Sequence, residues 1–554
     1  MSKGLQTSRL KPAGGRKQWI LVFLGFFLVF SAWSVAAPYD APPDEVQHGI
    51  RAVGVLSGEI VPKPAQIIWG VNNAGAGAYQ RVPEGLFHPA RCWGFYPDQP
   101  ASCQEPLSGG KLIDAPTSAG RYNPLYYAAV GLPLKLWPSW GGLVLSRLIS
   151  SALSAALLAW AFISLLRWSR YGLMLAGLLA SATPMLAHLA GAVNPNGLEI
   201  TAGIALFCGG IPLLLGAPGS RSKSSLVWLA GTGAVLLAPL RSLGPLWLGC
   251  ALVALLIPQS RTHLQHLWSQ RLVRRWTYGI AASLAFAVAW VFISKAGELV
   301  PPADGRFHYG LAQAALIYFA SWEIFLQGMV GVAGWFDIFM PLPFYWMWVC
   351  PVAALVIFAL TVGTWKDRWR FFVLFLGGFV APGILQVSQA NVTGFIIGGR
   401  YMLPLLVGMP LLGAYIVERR ILNAKQSHSM TKLFCLLLVP SHLVLLIYAM
   451  VRWQRGAYRG AHPQPGLGRL NPFVGSWHPP TGSVLPLVAM VIGLAVLTVM
   501  FWRGPALAAA LGDPEVEAGQ EGAPAPEATA ERRADSTDGV SSEDPRVPLP
   551  DRVS

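Results

Sequence analysis

Asp44, Glu45, His48 and Arg51 fall together in one short polar segment that begins Ala41-Pro-Pro-Asp-Glu-Val-Gln-His48. Pro42 and Pro43 stop any helix arriving from the N-terminal side, and a new one can begin at Asp44. On that helix Asp44, His48 and Arg51 share a face by i, i+4, i+7 spacing, with Glu45 beside them. A carboxylate, an imidazole and a guanidinium in a row could hold a divalent metal or a phosphate and position a proton acceptor. A plainer reading is open too. Asp44 with Gln47 three residues on resembles a capping box, and acids in a first turn suit the helix dipole.

The setting makes the acidic pair conspicuous. Of 554 residues 54% are hydrophobic, only 12% are charged, and 22 are Trp. Apolar runs of about 18 residues or more recur, so the chain reads as an all-α polytopic membrane protein. Residues 1–512 hold 15 Asp plus Glu against 37 Lys plus Arg. The formal charge of +15 is therefore no nucleic-acid signal, and no nucleic-acid partner is expected. Positive charge in such a chain serves to hold loops against an anionic cytoplasmic leaflet. Residues 513–554 carry 11 acids and four Arg and read as a disordered acidic tail, part of a cytoplasmic segment 503–554.

Twelve spans are expected, at about 19–38, 143–166, 172–191, 198–216, 225–240, 243–257, 276–294, 343–364, 371–388, 402–418, 433–451 and 484–502. The segment 124–140 is apolar but carries Pro124, Pro133, Lys135 and Pro138. If it lies in the interface, the loops with Arg167/Arg170, Arg221/Lys223, Arg261/Arg271/Arg274/Arg275, Lys366/Arg368/Arg370 and Arg419/Arg420/Lys425/Lys432 are all cytoplasmic. If it spans, every one of them flips outside. The first choice places both termini inside, beginning with a basic stretch 1–18, and makes 39–142 a large extracytoplasmic loop. One loop dissents: 452–483 holds four Arg and falls outside. Thirteen of the 15 acids then lie on the outer side; only Asp367 and Glu418 lie inside. Cys92 and Cys103, a loop pair facing an oxidising compartment, are expected to form a disulfide, the alternative being two free thiols.

Pro-Pro-Asp-Glu-x-x-His after a first span resembles the signature of an uncharacterised family of bacterial polytopic membrane proteins, of the domain-of-unknown-function type. That family is similar to the GT-C superfamily of glycosyltransferases. Further matches follow in order: Tyr122-Asn-Pro-Leu-Tyr-Tyr127, Thr183-Pro-Met185, Asn194-Pro-Asn-Gly-Leu-Glu199, Arg241-Ser-Leu-Gly-Pro-Leu-Trp247, Gly334-Trp-Phe-Asp337, Gly399-Arg-Tyr-Met-Leu-Pro404 and Trp477-His-Pro-Pro480. They extend over roughly residues 20–500.

The resemblance implies a GT-C-like domain over 19–502 in a bacterial inner membrane. It also implies a polyprenyl-phosphate sugar donor and a cell-surface glycan or glycolipid acceptor. Asp44 matches the carboxylate that orients or deprotonates the acceptor, with Glu45 and His48 supporting it or a divalent ion such as Mg or Mn. The segment 124–140 matches an interfacial helix. Arg241 and Arg400, at outer ends of spans, suit donor phosphate oxygens; snorkelling to headgroups is their alternative and also accounts for Arg147. Arg121, Tyr122, Asn194, Glu199 and Asp337 complete the expected substrate-binding set. Asn196 stands where related sequences tend to carry Asp. Glu199 is either its substitute or a helix-start acid, and Asp337 is either a second acid or a solvated neighbour of an interfacial Trp335.

No P-loop, dinucleotide fingerprint or nucleophile elbow is present, so ATP-driven transport lacks support. The rival from another class is a transporter or flippase for a lipid-linked sugar. It calls for internal repeats and mid-depth charges, and neither stands out in this sequence.

Overall fold

The computed structural model describes residues 14–61, 64–69, 73–87, 92–216, 223–296, 308–457 and 470–511. The expected cytoplasmic residues Lys3, Arg9, Lys11 and Arg221, the dissenting Arg459 and Arg469, and the acidic tail from Asp513 onward lie outside them.

The chain is a multi-pass membrane protein, mostly helical. It opens with α1 (Gly14–Ala36) and the short α2 (Glu45–Leu56). Three strands follow, β1 (Pro64–Trp69), β2 (Asn73–Pro83) and β3 (Leu112–Thr117), paired antiparallel in the order β1-β2-β3. Ala78 lies opposite both Pro64 and Thr117. Then come α3 (Pro124–Val130), α4 (Leu132–Leu136), α5 (Trp140–Trp168), α6 (Leu173–Ser181), α7 (Pro184–Ala190), α8 (Pro195–Leu215), α9 (Ser224–Leu240), α10 (Gly244–Leu256), α11 (Arg261–Ser269) and α12 (Arg271–Ile293). The second half holds α13 (Leu311–Ala320), α14 (Trp322–Val330), a two-residue hairpin of β4 (Val332–Ala333) and β5 (Ile338–Phe339), α15 (Leu342–Val362) and α16 (Trp365–Phe375). A wide π turn, Leu376–Val380, carries α16 into α17 (Ala381–Ser388). The chain continues through α18 (Ala390–Thr393), α19 (Leu403–Leu406), α20 (Gly408–Arg420), α21 (Ala424–Arg455) and α22 (Val484–Leu511).

Among the described residues eight helices are long and apolar enough to cross a bilayer, or nine if the bent pair α6–α7 counts as one span. The remaining three expected spans fall on shorter helices: α9, α10, and the broken pair α19–α20. Length and composition therefore reach eight or nine, below the twelve expected. Two departures are plain. The first loop carries a small sheet, which an all-helical reading did not anticipate. The expected single helix 124–140 is two short ones, because Pro133 limits a continuing helix and Gly131 lies against the Ala52 carbonyl oxygen, 2.7 Å from where a Cβ would stand.

Small residues set the closest packing. A Cβ on Gly25 of α1 would stand 2.8 Å from the Leu497 side chain of α22, and one on Gly493 would stand 2.8 Å from the Gly25 carbonyl oxygen. At the end of the bundle remote from the first loop, Asp367 closes a capping box with Thr364 at the start of α16. Glu418 there accepts the Arg170 and Leu173 amides at 2.9 Å and the Ser169 hydroxyl at 2.8 Å.

Cys92 and Cys103 are disulfide-bonded. Their loop closes over Arg452 at the end of α21, whose Nη1 donates to the Gln99 carbonyl and Nη2 to those of Trp93 and Tyr96. Arg452 Nε meets Asp337 Oδ2 at 2.7 Å. Asp337 is thus a largely enclosed ion-pair partner and not a solvated acid, and desolvation pushes its carboxyl up against the pull of Arg452. One Arg of the dissenting loop is therefore fixed to the first-loop side by its bonds. Arg452→Ala is expected to free this clasp, so amide exchange over residues 92–103 should accelerate; unchanged exchange would show that the disulfide and the remaining contacts, Ala457 N–H to the Pro97 carbonyl and Ser102 to Ser476, hold the loop without it.

Candidate functional site

Two acids share the work at the start of α2. Asp40 and Asp44 both adopt left-handed backbone conformations, φ 60° and 65°, sparsely populated for residues other than Gly. The side chain that caps the helix is Asp40, whose Oδ1 accepts the Val46 amide at 3.0 Å. Asp44 occupies the N-cap position yet makes no side-chain capping bond. Gln47 turns instead to the Ser118 amide. The capping-box reading of Asp44 is thereby overturned, and its carboxylate, 38% exposed, reaches Arg400 Nη2 at 3.1 Å.

Glu45 has a different fate. It is fully buried and bound by Arg147 through both oxygens, with Nε to Oε1 at 2.8 Å and Nη2 to Oε2. The Val193 and Asp40 amides donate to the same carboxylate. Arg147 also donates to the Ser34, Ala37 and Pro38 carbonyls that end α1. It is a buried clamp and does not snorkel. His48 sits behind, its Nδ1 2.8 Å from the Tyr127 hydroxyl and its ring stacked on that phenol. Burial, then Arg241 and Arg400, hold its pKa well below the ordinary value, so the ring is neutral. Arg51 donates to the Glu59, Ile60 and Tyr122 carbonyls, which tie α2 to the chain entering α3.

Asp44, Glu45 and His48 consequently do not fit the divalent ion expected of them. Glu45 has its oxygens filled by Arg147 and two amides, and His48 Nδ1 faces Tyr127. Among the described residues no group of three His, Cys, Asp or Glu side chains could hold a metal.

The cationic side is built by two arginines at helix ends on one phenol. Arg241 follows Pro239-Leu240 at the end of α9, its guanidinium 4.7 Å from the Tyr401 ring and 5.7 Å from that of Tyr122. Arg400, in the tight turn Gly399–Tyr401, lies 4.8 Å from the same Tyr401 ring and donates to that hydroxyl at 2.8 Å. Arg400 is 6% exposed, and its Nε and Nη1 are buried with no partner among the described residues. Beside this pair opens a cavity of about 400 Å³. Tyr122, Glu199, Arg241, Trp247, Gln386 and Tyr401 supply its polar and aromatic lining, and Val291, Leu385, Ile396 and Ile397 its aliphatic wall.

Glu199 belongs to this cavity, so it is not the helix-start acid. Asn194 does that work, accepting the Asn196 amide at 3.0 Å and donating to the Pro43 carbonyl. Glu199 Oε2 accepts from the Asn196 amide group, while Oε1 is buried with no hydrogen bond of ordinary geometry among the described residues.

A family model described as a predicted membrane protein, DUF2142, matches residues 27–409, which include every residue named for the cavity. The chain belongs to the DUF2142 family. Two solved structures are similar to it: ArnT from Cupriavidus metallidurans in the apo state, at 12% identity, 90% of this chain, 77% of that one and a TM-score of 0.41. The same protein bound to undecaprenyl phosphate aligns at 12% identity, 89% and 78% coverage and a TM-score of 0.37. No curated protein matches.

In this DUF2142 chain the structure brings Asp44, Tyr122, Glu199, Arg241 and Arg400 to one place, with His48 behind them. It leaves out Arg121, whose Nε and Nη1 donate to the Gly77 and Lys295 carbonyls, as well as Asn194 and Asp337. Asp337 acts at a remove: it accepts the Trp335 amide, and Trp335 Nε1 donates to the Asp40 carbonyl at 2.8 Å. The expected set lacked Tyr401, Trp247 and Tyr127. The Arg400-Tyr401 dipeptide at a span end was the available signal for the first.

Removing either half of the Glu45–Arg147 pair leaves a buried charge unpaired. Glu45→Ala and Arg147→Leu are each expected to cost about 3–5 kcal/mol, read as lost thermal stability in detergent, whereas Asp44→Asn, which keeps an oxygen facing Arg400 at a partly exposed position, should cost less. A second expectation concerns pH. The folded protein binds fewer protons at His48 than the unfolded chain does, so stability falls as pH drops below the ordinary 6.5. His48→Gln should flatten that loss in melting curves taken between pH 7 and pH 5; an identical slope would place the titration elsewhere.

Proposed function

We propose that this DUF2142 protein is a membrane glycosyltransferase. It transfers a sugar from a polyprenyl-phosphate donor to a hydroxyl of a cell-surface glycan or glycolipid. The reaction takes place at the extracytoplasmic face of a bacterial inner membrane, with both chain termini in the cytoplasm. One observation carries the reading. A half-exposed carboxylate, Asp44, stands at 3.1 Å from an arginine whose Nε and Nη1 are buried with no partner among the described residues, beside a second arginine and an aliphatic-walled cavity.

Each part suits a piece of the chemistry. Guanidinium forks match phosphate oxygens, and low local polarity strengthens their hold on the charge of a departing phosphate. The wall of Val291, Leu385, Ile396 and Ile397 suits the first isoprene units of a lipid carrier. Asp44 takes the proton from the acceptor hydroxyl as that oxygen bonds to the sugar's anomeric carbon. The bond from that carbon to the phosphate oxygen breaks, and polyprenyl phosphate leaves on Arg241 and Arg400. Neutral His48 and Tyr127 back the helix that presents Asp44 and take no proton.

Asp44→Asn should lower transfer roughly 100-fold or more while the protein still inserts and melts normally. Arg241→Ala and Arg400→Ala should raise the donor concentration needed. The check is analysis of surface glycans in a deletion strain complemented with each variant. Intact glycan in the Asp44→Asn strain, or loss of lipid translocation with normal transfer, would replace this reading with the transporter.

A further inference from the structure

Arg400 answers to two claimants. Its Nη2 binds Asp44 Oδ2 at 3.1 Å and the Tyr401 hydroxyl at 2.8 Å, while Nε and Nη1 are buried with no partner among the described residues. A guanidinium in that state is half committed. Its one carboxylate contact falls on the group proposed to act as base, and the oxygen that Arg400 engages is turned to the guanidinium instead of to an acceptor hydroxyl. The left-handed backbone at Asp44 and the absence of a capping bond mean that α2 itself does not fix that side chain. Among the described residues its anchor is Arg400.

Resting on the donor reading above, we infer that donor phosphate and Asp44 compete for Arg400, so that arrival of the donor releases Asp44 to receive the acceptor proton. A phosphate group presents several charged oxygens against two on a carboxylate, and can satisfy Nε and Nη1 as well. Arg241 lies on the same Tyr401 ring and adds a second cation for the phosphate that Asp44 does not contact. The device gives the reaction an order. Donor binds first, and the acceptor is activated only when there is a sugar to receive.

Competition is reciprocal: whatever phosphate does to Asp44, Asp44 does to phosphate affinity. The test uses the full-length protein in detergent and undecaprenyl phosphate as probe, with affinity measured by microscale thermophoresis. Asp44→Asn should tighten binding roughly tenfold, about the worth of one charge-assisted hydrogen bond. That gain should vanish when Arg400 is already Gln, since no guanidinium is left to contest. Asp44→Ser, run beside it, separates loss of the carboxylate from any effect of the amide, and melting curves confirm that each variant is folded. An unchanged affinity in Asp44→Asn and Asp44→Ser would overturn the inference while leaving the donor reading intact. A gain that persists in the Arg400→Gln background would overturn it too, by showing simple repulsion through space. Failure of the unaltered protein to bind the probe at all would remove the donor reading and this inference together.

Discussion

The Glu45–Arg147 pair is the contact on which the site end of the molecule depends. Both side chains are fully buried, and taking two ions out of water costs more than their attraction returns unless every remaining lone pair and proton is satisfied. Here they are. The guanidinium closes the last carbonyls of α1, the carboxylate takes the amides of Asp40 and Val193, and both ions are consumed in joining α1, α2, α5 and the turn before α8. Replacing the pair with apolar side chains could fill the volume but could not bond those backbone groups. Its role is to specify one arrangement of the segment between Ala37 and Glu45.

That arrangement explains why two adjacent acids behave so differently. Asp44 and Glu45 have the same charge and neighbouring positions, yet one is sealed in and the other faces the cavity side. The left-handed turns at Asp40 and Asp44 rotate the chain so that Asp40 reaches back over the first turn of α2 and does the capping. Backbone strain of this kind, of order 1–3 kcal/mol per residue, persists only where the surroundings impose it. The Trp335 indole on the Asp40 carbonyl, steadied by Asp337 and Arg452, is part of that imposition.

Much of this was legible in the residues. Long apolar runs gave the helices, charge parity singled out 124–140 as something other than a span, and Asp44, Arg241 and Arg400 stood out as charges at span ends. What was not legible has physical causes. A periodic pattern tells which face a residue lies on but not which way a non-helical φ turns it, so the exchange of roles between Asp40 and Asp44 was hidden. The separation of the expected metal ligands was hidden for the same reason, since proximity in sequence placed Glu45 beside Asp44 while the fold sent it to Arg147. The three-stranded sheet was missed because a segment such as Asn73-Ala-Gly-Ala-Gly-Ala-Tyr79 lacks the β-branched alternation that marks strands. Its pairing is set by the neighbouring strands.

The arginines show where sequence reasoning stops and geometry must take over. Arg51, Arg121, Arg147 and Arg452 all lie at the first-loop end, and all bind backbone carbonyl oxygens: three each for Arg51, Arg147 and Arg452, two for Arg121. A planar fork with five donors can close several chain ends at once, which a lysine ammonium does less well. These four act as rivets, and their charge is offset by the backbone dipoles and carboxylates they hold. Arg241 and Arg400 differ. They rest on the face of Tyr401, whose hydroxyl takes one N–H of Arg400 while that residue's Nε and Nη1 have no partner among the described residues. In a chain with so few acids, a cation supported in that manner keeps its capacity to bind an incoming anion. The same tyrosine that stabilises the pair is therefore what leaves it reactive.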